Sequence, residues 1–270
     1  MIPLLWLAAA LAAAPTAEVL SARAAPTSVT PRGDLRAWAL QADAAAHAAD
    51  PALTAMAWSA EPGVTRAGTA RFNRPELESP AAAGPLFARL LLAGEAPEVR
   101  AALVEAIART GGDWAPAMVR LQAAEADAWV RLFILESARR APEREALVLL
   151  RGGVVDPEAR VRAAAVRAIP AVPTAAAAMS REVLAALGDP SAEVRAGAAR
   201  SAGWMGLQGA SQGLSSLVSD AGPEVRLAAL RALERLHGAG GAPTQRAAQA
   251  LSEDVDPGVR RAALSLLSAG

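Results

Sequence analysis

Six Val-Arg pairs recur along this chain at nearly constant spacing: Val99-Arg100, Val130-Arg131, Val161-Arg162, Val194-Arg195, Val225-Arg226 and Val259-Arg260. The valines are 31, 31, 33, 31 and 34 residues apart. A period in this range marks an array whose unit is one supersecondary module, too small to bury its own apolar face and stabilised by stacking on its neighbours. The repeat excludes folds built around one non-repeating core.

The residues after each valine set the helical period. Offsets +3, +4 and +8 are small or apolar in all six copies: Ala102, Leu103, Ile107; Phe133, Ile134, Ala138; Ala164, Ala165, Ile169; Gly197, Ala198, Ala202; Ala228, Ala229, Leu233; Ala262, Ala263, Leu267. This is one buried helical face, with no period-2 alternation. Offset +5 is apolar as well, which widens the stripe as expected for a helix that also touches the next repeat. Second apolar segments lie between these motif helices, at 85–93, 115–124, 142–150, 175–187, 210–218 and 244–251, with Gly, Pro and Asp clusters at the joins. Two helices of about 10–14 residues and two short turns fill such a unit, so the module is a pair of antiparallel helices. Composition agrees: Ala dominates, Arg supplies the whole basic complement, and aromatics are 3% of the chain.

An acid stands five residues before the valine in most copies. It forms the pairs Asp156/Arg162, Asp189/Arg195, Asp220/Arg226 and Asp254/Arg260, with Glu125/Arg131 as a variant. An acid at the turn entering a helix can accept from the first-turn N–H groups. The guanidinium six residues on can grip an acid of its own or an adjacent repeat. Asp-x-x-x-x-Val-Arg followed by a small-residue helix resembles the HEAT repeat, in the short form of phycobilisome-lyase-type arrays. The resemblance covers about residues 60–270. It implies an all-α solenoid, a right-handed superhelix of antiparallel helix pairs. The motif helices would line its concave face and the Asp and Arg side chains would form a hydrogen-bonded ladder (Asp156, Arg162, Asp189, Arg195, Asp220, Arg226, Asp254, Arg260). The pattern is weaker toward the N-terminus, where Gly94 replaces the acid before Val99. A worn copy is expected at Val64-Thr65-Arg66 with Ser59 at the acid position, and residues 34–58 are expected to add one more helix or pair, including Trp38 and Trp58. At the other end, Val259–Leu267 is expected as a motif helix without a polar capping unit, exposed or packed on a partner or second copy.

Residues 2–14 (IPLLWLAAALAAA) are an unbroken apolar run, too short for a comfortable bilayer crossing, and Ala22-Arg23-Ala24 offers a small-x-small cleavage site. The expected organisation is a signal peptide at 1–24, a linker and degenerate helical cap at 25–59, and the repeat array of six to seven units at 60–270. Such a bacterial protein would be periplasmic or secreted, and cytoplasmic if the apolar run is not a signal. No other stretch is apolar enough to span a membrane, so none is expected after cleavage.

Little in the chain suggests chemistry. There is no Cys, hence no thiolate metal site, disulfide or catalytic thiol. The two histidines, His47 and His237, are far apart in the array, and His237 before Gly238 reads as a helix C-terminal cap. No metal site, cofactor or catalytic residue is expected. Twenty-seven acids balance 27 bases, which argues against broad capture of nucleic acid or anionic membrane. Trp114, Trp129 and Trp204 read as rings packed between repeats. The alternative is a base-stacking platform, as in HEAT-like DNA glycosylases. One pattern points to binding. Offset +6 lies about 120° from the valine, outside the apolar stripe, and reads Glu105, Glu136, Arg167, Arg200, Arg231 and Ser265. The reading is a non-catalytic scaffold for a protein or peptide partner, contacted by Glu105, Glu136, Arg167, Arg200 and Arg231, with no nucleic acid. Alternatives are a regulatory or substrate-binding domain of a lyase or isomerase system, or the glycosylase.

Overall fold

The computed structural model describes residues 35–64, 70–72, 74–111 and 113–269. The expected signal peptide, residues 1–24, lies outside them. The chain divides into two compact units, residues 1–141 and 142–270. Each is a stack of helix pairs, so the fold is an all-α solenoid.

The second unit carries four pairs. They are α7 (Glu143–Gly153) with α8 (Ala159–Ala168), α9 (Pro173–Ala178) and α10 (Ser180–Ala186) with α11 (Ala192–Trp204), α12 (Ser211–Leu217) with α13 (Pro223–His237), and α14 (Ala242–Ala250) with α15 (Pro257–Ala269). The motif helices α8, α11, α13 and α15 pack each on the next, and every one also packs on its own partner. The segment expected as one helix at 175–187 is two, because Met179 leaves helical geometry while its side chain stays fully buried. Val161, Val194, Val225 and Val259 are buried, as are Ala165, Ala198, Ala229 and Ala263 at offset +4. These short side chains let the helices approach closely. Gly203 shows the limit: a Cβ there would lie 3.0 Å from Ala232 Cα and 3.1 Å from its Cβ. Offset +5 is buried at Val166, Ala199 and Leu230 but open at Leu264, which is 51% exposed. That is the position assigned to contact with a following repeat.

Among the described residues the first unit carries three pairs: α1 (Leu35–Ala49) with α2 (Pro51–Ser59), α3 (Ala83–Leu92) with α4 (Pro97–Arg109), and α5 (Ala115–Ala124) with α6 (Ala128–Ser137). Trp38 of α1 meets Phe87 of α3 edge-on at 5.2 Å. Gly84 lets the two helices cross, since a Cβ there would lie 2.8 Å from the Ala42 carbonyl. The stretch expected as a worn Val64 motif helix has a different structure. Gly63–Val64 forms β1, which pairs antiparallel with β2 (Ala70–Arg71), and 3₁₀ turns follow at Pro75–Glu78 and Pro80–Ala82. The segment has small residues at offsets +3 and +4, Ala67 and Gly68, but Thr69 breaks the stripe at +5, and Pro62, Gly63 and the β-branched Val64 and Thr65 disfavour a helix. β2 and the Pro75–Glu78 turn pack on α4 instead, tied by Arg109 to Glu78 at 2.9 Å and Arg71 to Glu105 at 3.6 Å. No helix among the described residues is long and apolar enough to cross a membrane.

Candidate partner-binding grooves and the ladder beside them

The Asp and Arg of the motif occupy the joints between repeats. In the second unit, Arg162 Nε and Nη2 each donate to the two carboxylate oxygens of Asp189 at 2.9 Å. Arg195 does the same to Asp220 at 2.7 and 3.0 Å, and Arg226 to Asp254 at 2.7 and 2.6 Å. The remaining nitrogen turns inward to its own repeat. Arg162 Nη1 donates to the carbonyls of Asp156 and Pro157, Arg195 Nη1 to those of Asp189 and Pro190, and Arg226 Nη1 to those of Asp220 and Ala221. Arg260 Nη1 grips the Asp254 carbonyl in the same way. Each rung thus joins the turn of one repeat to the acid of the next through a planar, bidentate, charge-assisted contact.

The carboxylates differ from the sequence expectation in one respect. They do not accept from the helix's first turn. Oδ1 of Asp156, Asp189, Asp220 and Asp254 accepts the N–H two residues on, at Glu158, Ser191, Gly222 and Asp256. Five residues before the valine is one turn too early to reach the helix, so the acid closes a local turn that leads into it. The guanidinium hydrogen bond is the main cause that holds the carboxyls of Asp189, Asp220 and Asp254 below the ordinary aspartate range, with the backbone N–H adding to it.

The first unit reaches comparable joints with other residues. Arg100 Nη2 pairs with Glu125, whose Oε1 also takes the Asp127 N–H, so the glutamate does the aspartate's work. Arg131 Nη1 holds the carbonyls of Glu125 and Ala126. Asp127 takes the first-turn N–H groups of Trp129 and Val130. Arg89, which sequence reasoning missed, is buried at 3% exposure in α3. Its Nε donates to Glu95 at 2.6 Å and its Nη1 to the carbonyls of Ala57 and Ala60, at the end of α2. The guanidinium also lies 5.6 Å from the centre of the Phe72 ring. It closes a joint for which the repeat pattern supplies no Arg. Its only signal in sequence was a lone charge inside the apolar run Leu86–Leu92.

Beside the ladder, consecutive motif helices enclose a groove at the same register in each unit. In the first unit a cleft of about 240 Å³ lies between α4 and α6, lined by Glu105, Trp129, Phe133, Glu136, Arg139 and Arg140 among others. In the second, a cleft of about 240 Å³ lies between α11 and α13, lined by Arg200, Trp204, Leu227, Arg231 and Arg235 with Ala228 and Ala232 at its base. Offset +6 supplies a wall residue from both helices in each case. Glu105 and Glu136 therefore share one groove, and Arg200 and Arg231 share the other. Arg167 stands on α8 and pairs with Glu193 of α11 at 3.0 Å. Glu105 is half-buried and faces Arg71 and Arg109, while Arg231 pairs with Glu234 at 2.9 Å. Glu136 and Arg200 are exposed, with no ion pair among the described residues.

The tryptophans divide. Trp114 is buried, and Trp129 is half-buried with its ring centre 5.3 Å from that of Phe133. Trp204 contradicts the expectation of a ring packed between repeats. It is 67% exposed, at the last position of α11, with the Arg235 guanidinium 3.8 Å over its ring. The ring projects past the small-residue stripe, where no partner helix covers it. His237 ends α13 and its Nε2 lies 2.8 Å from Ser211 Oγ. No group of three or more His, Asp or Glu among the described residues is placed to hold a metal ion.

Residues 180–268 match the family of HEAT repeats. A crystal structure of an engineered protein from a structural genomics consortium is similar, at 17% identity and a TM-score of 0.46, covering 70% of this chain and 89% of that one. A search of curated proteins finds no match. The matched span begins at the first residue of α10 and takes in three consecutive helix pairs joined by the Arg195–Asp220 and Arg226–Asp254 rungs. On that match and that geometry, residues 180–268 are HEAT repeats.

Proposed function

We propose that this chain is a non-catalytic scaffold that holds a protein or peptide partner along the offset +6 face of its motif helices. Glu105, Glu136, Arg167, Arg200 and Arg231 make the contact and the acid–arginine ladder holds the shape. One observation carries the reading: the two sets of charged side chains differ in how completely the fold uses them. Arg162, Arg195 and Arg226 each spend four N–H donors on their own chain, of the five a guanidinium has. They have little left for a ligand. Glu136 and Arg200 have no ion pair among the described residues, Arg167 and Arg231 are held in exposed pairs, which are worth little and exchange readily, and only Glu105 is half-buried beside Arg71 and Arg109. Glu105, Glu136, Arg200 and Arg231 also line clefts in which charged side chains stand beside aromatic and aliphatic ones, a combination that suits peptide segments.

Site-specific photo-cross-linking tests this. A benzophenone side chain at position 136 or 200 should capture the same partner, while one at Arg144 of α7 or Arg181 of α10, both exposed on the other helix layer, should not. Capture from Arg144 and Arg181 alone would overturn the reading. The proposal includes export of a bacterial protein to the periplasm or beyond, with residues 1–24 as a cleaved signal peptide, 25–59 as linker and helical cap, and 60–270 as the array. N-terminal sequencing of the mature protein should begin near Ala25, and an intact Met1 would remove export from the proposal.

A further inference from the structure

We infer that the groove between α11 and α13 receives an acidic peptide segment, whose carboxylates pair with Arg200 and Arg231 while an aliphatic side chain lies on the open face of Trp204. The inference rests on the scaffold reading and gives its partner a chemistry. Four side chains make the site. Arg200 and Trp204 are one helical turn apart on α11, and Arg231 and Arg235 are one turn apart on α13, so each pair shares a face of its helix. The two faces meet across the cleft, over a floor of Leu227, Ala228 and Ala232. Three guanidiniums line this cleft and no carboxylate does. The groove of the first unit has two glutamates and two arginines among its lining residues. The basic character is local, because the chain as a whole carries no net charge.

The charges on this face are unevenly committed. Arg235 is held against the indole, covering one side of it at 3.8 Å. Arg231 has Glu234 on its own helix, a pair whose side chains are 48% and 32% exposed and which a partner's carboxylate can replace. Arg200 has no ion pair among the described residues. The nearest repeat on the α8 side already pairs its +6 arginine, Arg167, with Glu193. The open cationic surface is thus centred on Arg200 and Arg231. Trp204, 67% exposed beside them, adds an apolar face that a purely ionic ligand would leave in water. An acidic segment with interspersed aliphatic residues satisfies both. A nucleic acid would need cations spaced along its phosphate backbone well beyond one cleft, and the neutral chain does not supply that field.

The test is fluorescence anisotropy with three labelled probes on the full chain: a peptide of repeating Glu-Leu-Asp, the same peptide with Lys for each acid, and single-stranded oligothymidine. The acidic peptide should bind, weakening with salt. Arg200→Glu with Arg231→Glu, checked for unchanged helicity by circular dichroism, should lose at least about tenfold in affinity for it and gain affinity for the Lys peptide. Trp204→Ala should weaken the acidic peptide less than the double charge reversal does. Preference for oligothymidine would overturn the peptide assignment. Equal binding of the acidic peptide by the wild type and the double variant, or binding of none of the probes, would remove this site. The scaffold reading would then stand or fall separately on cross-linking from position 136.

Discussion

Two regions of this molecule solve the same joint differently. In the second unit one rung is copied three times: a motif arginine, the next repeat's aspartate, two carbonyls of its own turn and one closing N–H. In the first unit each joint has its own parts, with Arg89 from the partner-helix layer beside Glu95, Arg100 with Glu125, and Trp58 with the buried Asp43 at 2.9 Å. In the copied joint the arginine stays the more open partner, 11–19% exposed, over an aspartate that is 5–12% exposed. The improvised joint at Arg89 reverses this, with the guanidinium 4% exposed and its partner Glu95 23%. A buried guanidinium holds structure only while all its acceptors stay in place, so the first unit concentrates risk where the second spreads it.

That contrast predicts its largest effect at Arg89. Arg89→Met leaves Glu95 and the carbonyls of Ala57 and Ala60 without their donor, and should cost about 3–5 kcal/mol of first-unit stability. Hydrogen exchange read by mass spectrometry should show protection lost in α1–α3 and kept in α11–α15. Uniform loss across both units would mean that they do not differ in the way described.

Next comes a rung of the copied kind. Arg195→Ala removes one bidentate pair and two carbonyl contacts. Because Asp220 keeps its backbone N–H and some solvent, the cost should be smaller, about 2–3 kcal/mol. Partner capture at low temperature should be little changed. Arg200→Glu, on the same helix but outside the ladder, should do the reverse, leaving the melting temperature within about 1 °C while abolishing capture. Equal behaviour of the two variants would erase the division between ladder and contact face.

The same contrast explains what was legible in sequence. The register of α4, α6, α8, α11, α13 and α15 was readable because the same residue types do the same work at a fixed spacing. The acid and arginine could be paired as partners for the same reason. Arg89 was not readable, since a unique joint leaves no repeat to detect, and one arginine in an apolar run does not say which carbonyls it will meet. The β1–β2 pair was misread as a worn repeat because Val64 and Arg66, with Ala67 and Gly68 behind them, mimic the motif in letters, while Pro62, Gly63, Thr65 and Thr69 weigh against a helix. Trp204 was read as core because rings usually are. Its position at offset +10 on the solvent side of α11, four residues after Arg200, was the signal that separated it from Trp114.

Acid should distinguish the units with a smaller, graded effect. Asp189, Asp220 and Asp254 have carboxyls held below their unfolded value of about 3.9. Their contribution is therefore complete above about pH 4 and is lost as pH falls through the lower folded values. Denaturant titrations from pH 6 downward should show the second unit weakening below about pH 4. Arg195→Ala should flatten that slope by removing the cause of one depression. A slope unchanged by the variant would detach the ladder from acid sensitivity.

Asp43 carries the smallest expected effect and the opposite sign. Burial raises its carboxyl above the ordinary range, opposed by the Trp58 hydrogen bond and by His47. The folded state then holds the proton more tightly than the unfolded one, so the associated stability is present below about pH 4 and lost as pH rises through the raised value. Asp43→Asn removes the buried charge and keeps an oxygen for the Trp58 N–H. At neutral pH the variant should melt higher by on the order of a few degrees, and below about pH 4 the two proteins should converge. A variant that melts lower at neutral pH would show that the ionised carboxylate is favoured in place, through Trp58 and His47, more strongly than burial disfavours it. The first unit would then hold its one-off joints by charge as the second does, and the contrast between the units would be one of location alone.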